Sequence, residues 1–191
     1  LLITNAKLVD VLTGEIRETD VSVGGGKILG FSHTEAVKVV DARGAYLLPG
    51  LIDAHIHIES SMVSPARFAG LVLPHGTTSV VADPHEIANV HGLEGIRYML
   101  ENGRHLPLNI FIALPSCVPA TPFEDSGAVL SAEELEELID DPKVTGIGEM
   151  MNFPGVVSGD YDVLAKIQLG TSHGKIVDGH APGLLGRDLD A

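Results

Sequence analysis

The sequence predicts an α/β protein in which a run of short β segments leads into strands and helices alternating around a parallel sheet. Three observations predict it. Residues 1–48 are short apolar runs broken by turn residues, Pro49-Gly50 then punctuates a change of regime, and beyond it strand-like apolar runs alternate with amphipathic helical ones. With 191 residues, 45% of them hydrophobic, the chain has enough apolar material to bury a core.

In the first region the β segments fall at residues 1–9, 16–23, 27–31, 37–41 and 46–48, and Gly24-Gly25-Gly26 reads as a hairpin turn. In the second, strands are predicted at 51–58, 77–82, 108–113, 144–148 and 176–179. The first helix opens with Ser64 as cap and Pro65 at the first helical position, where proline's missing N–H costs nothing. A second helix is read over 93–102. A third opens Ser131-Ala132-Glu133-Glu134, a capping box with the glutamate three residues after the cap, and a fourth covers 161–169. A closed eightfold βα barrel needs about 200 to 250 residues, and only roughly 140 follow Pro49. Either the sheet is smaller and open, or the chain is part of a larger barrel. No fixed-period repeat or low-complexity tract is present.

The charge narrows the partners. With 26 acidic against 12 basic residues the net charge is -14, which argues against a nucleic-acid backbone or an anionic membrane. One cysteine, Cys117, excludes an internal disulfide and leaves the cytoplasm as the expected compartment. No apolar stretch approaches the ~20 residues of a membrane span, and the N-terminus has neither a basic region nor a cleavage site. The chain opens on a strand-like run without a methionine, so a few residues are expected to precede it.

The chemistry concentrates at strand ends. In Asp53-Ala54-His55-Ile56-His57, residues two apart on a strand project to one face, so His55 and His57 can chelate one ion. An isolated pair of this kind also occurs as two hydrogen-bonded core histidines, but this one ends its strand and is followed by the polar run Glu59-Ser60-Ser61. Glu149, in Gly148-Glu149-Met150-Met151-Asn152, is a lone carboxylate closing a buried run. Its two oxygens can each bind a different cation, or it is simply an exposed loop acid. His180, in Asp178-Gly179-His180-Ala181, supplies a third imidazole at a strand end. Three strand ends offering His, Glu and His at one rim point to a metal site.

A further cluster, Asp83-Pro84-His85-Glu86, follows the second parallel strand and supplies either outer contacts to the ligating imidazoles or loop hydrogen bonds. Glu59, Ser60, Asp83 and His85 are the candidates for substrate contact. Cys117 is expected to be an ordinary buried thiol, since nothing nearby in sequence would lower its pKa. His33, His75, His105 and His173 are read as surface residues, and the acidic stretch 133–141 as a solvated face. There is no phosphate-binding loop, no dinucleotide fingerprint and no GxSxG elbow.

Taken together, Pro49-Gly50-Leu51-Ile52-Asp53-Ala54-His55-Ile56-His57 resembles the signature of the amidohydrolase superfamily. His57-Ile58-Glu59-Ser60-Ser61-Met62, residues 81–90 with Asp83-Pro84-His85-Glu86, residues 148–156 and Asp178-Gly179-His180-Ala181-Pro182-Gly183 resemble its bacterial adenine deaminase branch over essentially the whole chain. The resemblance implies a partial (β/α)8 TIM-type barrel of about four and a half βα units over 49–191, preceded over 1–48 by part of a small β-sandwich domain. It implies hydrolysis of adenine to hypoxanthine and ammonia at two divalent ions, manganese or iron. His55 and His57 would hold one ion, Glu149 would bridge, and His180 would hold the second, with Glu149 and His180 as the catalytic groups. The expected partners are adenine and further copies of the chain, with no nucleic acid and no membrane.

Family members add a histidine from the sixth strand and an aspartate from the eighth, and the sequence stops before either. This polypeptide alone is therefore expected to have little or no deaminase activity, and exposed sheet edges favour association. Two alternatives stay open. Another amidohydrolase could cleave a cyclic amide, although that branch typically bridges its metals with a carboxylated lysine on the fourth strand, where this sequence has Glu149 and only Lys143 nearby. Or the segment is a metal-binding, non-catalytic part of a larger assembly.

Overall fold

The computed structural model describes residues 1–121 and 123–190; Ala191, the last residue of the predicted second region, lies outside them. The chain divides into two compact units, Leu1–Gly50 and Leu51–Ala191.

The first unit is a small sheet of β1 (Leu2–Val9), β2 (Ile16–Gly24), β3 (Lys27–Gly30), β4 (Val39–Asp41) and β5 (Tyr46–Leu47). β1 is its centre: β2 pairs with it antiparallel, β4 and β5 pair with it parallel, and β3 extends the far side of β2. Gly25 and Gly26 both have positive φ, as a tight turn compatible with strand twist requires between β2 and β3. Alternation along β1 and β2 buries Leu2, Ala6, Leu8 and Val21.

The second unit is a curled, all-parallel half-barrel in the order β10-β9-β8-β7-β6. Its elements are β6 (Leu51–Ile56), α1 (Pro65–Val72), β7 (Thr77–Ala82), α2 (His85–Gly103), β8 (Asn109–Leu114), α3 (Ala132–Ile139), β9 (Val144–Met150), α4 (Phe153–Ser158), α5 (Tyr161–Ser172), β10 (Ile176–Gly179) and α6 (Arg187–Asp190). The central strand β8 is an apolar run after Asn109, Ile-Phe-Ile-Ala-Leu, and β9 is buried along almost its whole length, as expected of a parallel sheet covered by helices. Val80, Ile96, Ile112, Leu114, Leu135, Ile139 and Ile147 form the packed centre between sheet and helices. The chain therefore has the predicted α/β architecture.

The helix starts differ in an informative way. Ser131 and Glu134 form the reciprocal capping box of α3. Replacing Ser131 with alanine should cost about 1 kcal/mol, read as a lower unfolding midpoint. Ser64 has the extended backbone of a cap and Pro65 follows at the first position, yet the Ser64 side chain makes no capping bond. The second predicted helix is longer than 93–102: α2 begins at His85, with a break at Gly92 (φ 59°, ψ −141°) where the periodicity is lost. β6 ends at Ile56 rather than at 58, and Glu59–Ser61 is a short 3-10 turn. α4, in Asn152-Phe153-Pro154-Gly155, was not anticipated; its first turn is tied by the Asn152 side chain accepting from the Gly155 N–H.

Candidate metal centre

The site lies where β6, β7, β9 and β10 end. His55 belongs to β6 and His57 follows it, and their shared facing brings Nε2 of one to 3.2 Å from Nε2 of the other. Glu149, near the end of β9 and 8% exposed, places Oε1 at 3.2 Å from His57 Nε2 and Oε2 at 3.7 Å from His55 Nε2. His180 follows β10. Its N–H donates to the Met150 carbonyl (3.3 Å), and its Nδ1 stands 3.2 Å from Glu149 Oε2. The two oxygens of Glu149 thus each face a different imidazole.

The hydrogen-bond partners assign the tautomers. His57 Nδ1 is 2.8 Å from the Asp83 carbonyl, which only accepts, so Nδ1 carries a proton and, in the neutral ring, Nε2 the lone pair. His55 Nδ1 is 3.2 Å from the Asp178 carboxylate, which fixes the same tautomer. The two Nε2 atoms and a carboxylate therefore converge at 3.2–3.7 Å, with both rings held from their far sides. Ligand atoms about 2.1 Å from one ion stand roughly 3 to 3.5 Å apart, so these residues fit a divalent metal.

Glu149 is clamped through its backbone. Its N–H donates to Asp83 Oδ2 (2.9 Å), and its carbonyl accepts from the Ser116 hydroxyl (2.7 Å). Both holders are buried, Asp83 to 1% exposure.

A second cluster adjoins the first. His85, on the first turn of α2, lies 4.4 Å from His57 between ring centres, with Nδ1 at 3.6 Å from Asp83 Oδ1 and 3.7 Å from Glu149 Oε1. The neighbouring Asp83 carboxylate raises the His85 pKa against the opposing effect of burial, with Glu86 and Glu149 adding to the rise. Glu59 accepts from the Ile87 N–H (3.3 Å), and Ser60 donates to Glu86. Burial raises the Glu59 carboxyl and Glu86 reinforces it, while hydrogen bonds from backbone N–H groups work against it. Among the described residues, the buried side-chain polar atoms without a partner all lie here: Glu59 Oε2, Asp83 Oδ1, His85 Nδ1 and Glu86 Oε2.

The four nominated ligands, His55, His57, Glu149 and His180, are thus brought together, with Glu59, Ser60 and His85 beside them and Asp83 beneath. Asp178 and Ser116 were not nominated. Asp178 could have been found by the period-two rule that places it on the face of His180; Ser116 gave no signal, because its partner is 33 residues away in sequence. Cys117 is buried, with Sγ 3.1 Å from the Met151 nitrogen and 3.3 Å from the Ser116 hydroxyl. His33, His75 and His105 are exposed, and His173 is half-buried against the Leu169 carbonyl.

The amidohydrolase family model matches residues 46–189. The adenine deaminase of Nitratidesulfovibrio vulgaris (strain DP4) is 64% identical over 189 residues, 99% of this chain and 33% of that protein. The adenine deaminase of Desulfatibacillum aliphaticivorans is 53% identical over 191 residues, all of this chain and 34% of that protein. The chain spans about a third of the length of these curated relatives. Among solved structures, atrazine chlorohydrolase TrzN from Arthrobacter aurescens TC1 complexed with zinc superposes with a TM-score of 0.63 at 17% identity, covering 94% of this chain and 52% of that one. A dihydroorotase superposes at 0.61 with 19% identity, covering 99% of this chain and 54% of that one. These two likenesses concern the fold.

Proposed function

The chain belongs to the amidohydrolase family, and we propose that its complete gene product hydrolyses adenine to hypoxanthine and ammonia with two divalent cations, manganese or ferrous iron. The observation that carries this reading is Glu149, whose oxygens face His57 and His180 separately, as a carboxylate spanning two ions must. His55 and His57 would hold one ion and His180 the other. Cations bound there would supply a water of lowered pKa as the nucleophile. The oxygen of that water would bond to C6 of the purine, a proton from the same water would pass to the exocyclic nitrogen, and the exocyclic C6–N6 bond would break to release ammonia.

The chain's own residues prepare that site. Asp178 and the Asp83 carbonyl hold His55 and His57 with their lone pairs on Nε2, and Ser116 and Asp83 hold the Glu149 backbone. Glu59, Ser60 and His85 line the flank on which the base would bind. The net charge of -14 supports a free base rather than a nucleic acid as substrate. We propose further a cytoplasmic homo-oligomer acting in purine salvage and adenine catabolism.

The cyclic-amide alternative finds less support. Lys143, the lysine nearest β9 in sequence, lies with its ammonium over the Phe111 ring at 4.6 Å and precedes the strand that carries Glu149.

The test is ammonia release from adenine by this chain and by the complete gene product, each supplied with Mn²⁺ or Fe²⁺. Turnover by the complete product, with little or none by these 191 residues alone, is the expected result. A complete product that takes up metal, ignores adenine and opens a cyclic amide would replace the substrate assignment.

A further inference from the structure

Asp83 is 1% exposed, so its carboxylate has no route to a substrate in the open site. It is nevertheless in contact with three separate parts of the half-barrel. Its N–H donates to the Ile56 carbonyl at the end of β6 (3.0 Å), and its carbonyl accepts from His57 Nδ1 (2.8 Å). Oδ2 accepts from the N–H of Glu149 on β9 (2.9 Å), and Oδ1 lies 3.6 Å from His85 Nδ1 on α2. β7 and β9 are not neighbours in the sheet, because β8 runs between them. The side chain therefore crosses the end of a strand to reach its partner.

Gly148 makes that crossing feasible. A Cβ at this position would stand 2.2 Å from Asp83 Oδ2 and 2.7 Å from its Cγ. The other close atom, the Leu114 carbonyl oxygen at 3.1 Å, needs only a small shift. The glycine and the aspartate occupy one space between them.

From this geometry we infer that Asp83 is a positioning residue for the metal centre rather than a substrate contact: it sets the orientation of His57 and the height of Glu149 together, and Gly148 is the seat that admits it. The inference rests on the metal reading above. A charged carboxylate is costly to bury and is retained where its hydrogen bonds use it. Partners of this kind, one bond removed from the metal, typically change metal affinity by 10- to 100-fold when lost.

The test is Co²⁺ affinity, followed by visible absorption against a competing chelator, in the complete gene product and in Asp83→Asn, Asp83→Ala, Gly148→Ala and the Asp83→Ala/Gly148→Ala double variant. Asp83→Ala and Gly148→Ala should each weaken binding about 10- to 100-fold. Asp83→Asn should stay within a few-fold of the parent, since its amide oxygen still accepts from the Glu149 N–H. The double variant should bind no more weakly than Asp83→Ala, because once the carboxylate is gone the added methyl has room. Unfolding midpoints of the metal-free proteins separate a lost site from a lost fold, and if Asp83→Ala does not fold, the contrast between Asp83→Asn and Gly148→Ala decides. Binding by Asp83→Ala or Gly148→Ala within about threefold of the parent overturns the inference, as do losses that multiply in the double variant. A parent that takes up no Co²⁺ removes the metal reading itself, and this inference with it.

Discussion

Exchanging Glu149 for glutamine in the complete gene product is expected to lower adenine turnover by about 10³-fold or more, some 4 kcal/mol of activation free energy, and to reduce bound metal from two ions to at most one. Glutamine is nearly isosteric, but one of its ends is an NH₂ group that presents hydrogens instead of a lone pair. Both sides lose the negative charge, and whichever way the amide turns, either the His57 side or the His180 side also faces NH₂ in place of an oxygen. The fold should survive, because the contacts that hold residue 149 are backbone ones: its N–H to Asp83 and its carbonyl to Ser116. Metal analysis and kcat on the same sample check this. Two ions retained with turnover within tenfold of the parent would mean that Glu149 does not span them.

The architecture was legible because parallel strands buried on both faces are written as apolar runs, and turn residues bound them. The ligands were legible because all four sit at the ends of three strands, and His55 and His57 obey the period-two rule. What stayed hidden was set by contacts distant in sequence. Asp83 reads as one acid in a polar loop; only the curl of the sheet puts its carboxylate on a backbone N–H 66 residues away. The same curl makes Ser116 a holder of Glu149. The start of α2 was missed for a local reason: Pro84 and the left-handed Gly92 bracket a segment too short to show a helical period. α4 escaped likewise, since its six residues include Pro154 and Gly155.

Gly146 links the sheet to the site. It pairs with Ile176 in the β9–β10 ladder, and a Cβ at this position would stand 1.9 Å from the Ile176 carbonyl oxygen. The obstructing atom is backbone, so a rotamer change cannot relieve the clash; β10 itself must move. Gly146→Ala is therefore expected to destabilise the complete gene product by about 1 to 3 kcal/mol. The larger consequence is local. β10 carries Asp178, which orients His55, and leads directly into His180, whose N–H is fixed on the Met150 carbonyl. Displacing the strand should release both, so the amides of Ile176–Gly179 should exchange faster with solvent and metal should bind more weakly even where the protein remains folded. Gly70→Ala is the matched control: this glycine lies inside α1 with no atom within 4 Å of an added Cβ, so alanine should be neutral or stabilising by about 0.5 to 1 kcal/mol. If Gly146→Ala behaves like Gly70→Ala in exchange and in metal affinity, the strand does not govern the site, and His180 must be held in place by something other than β10.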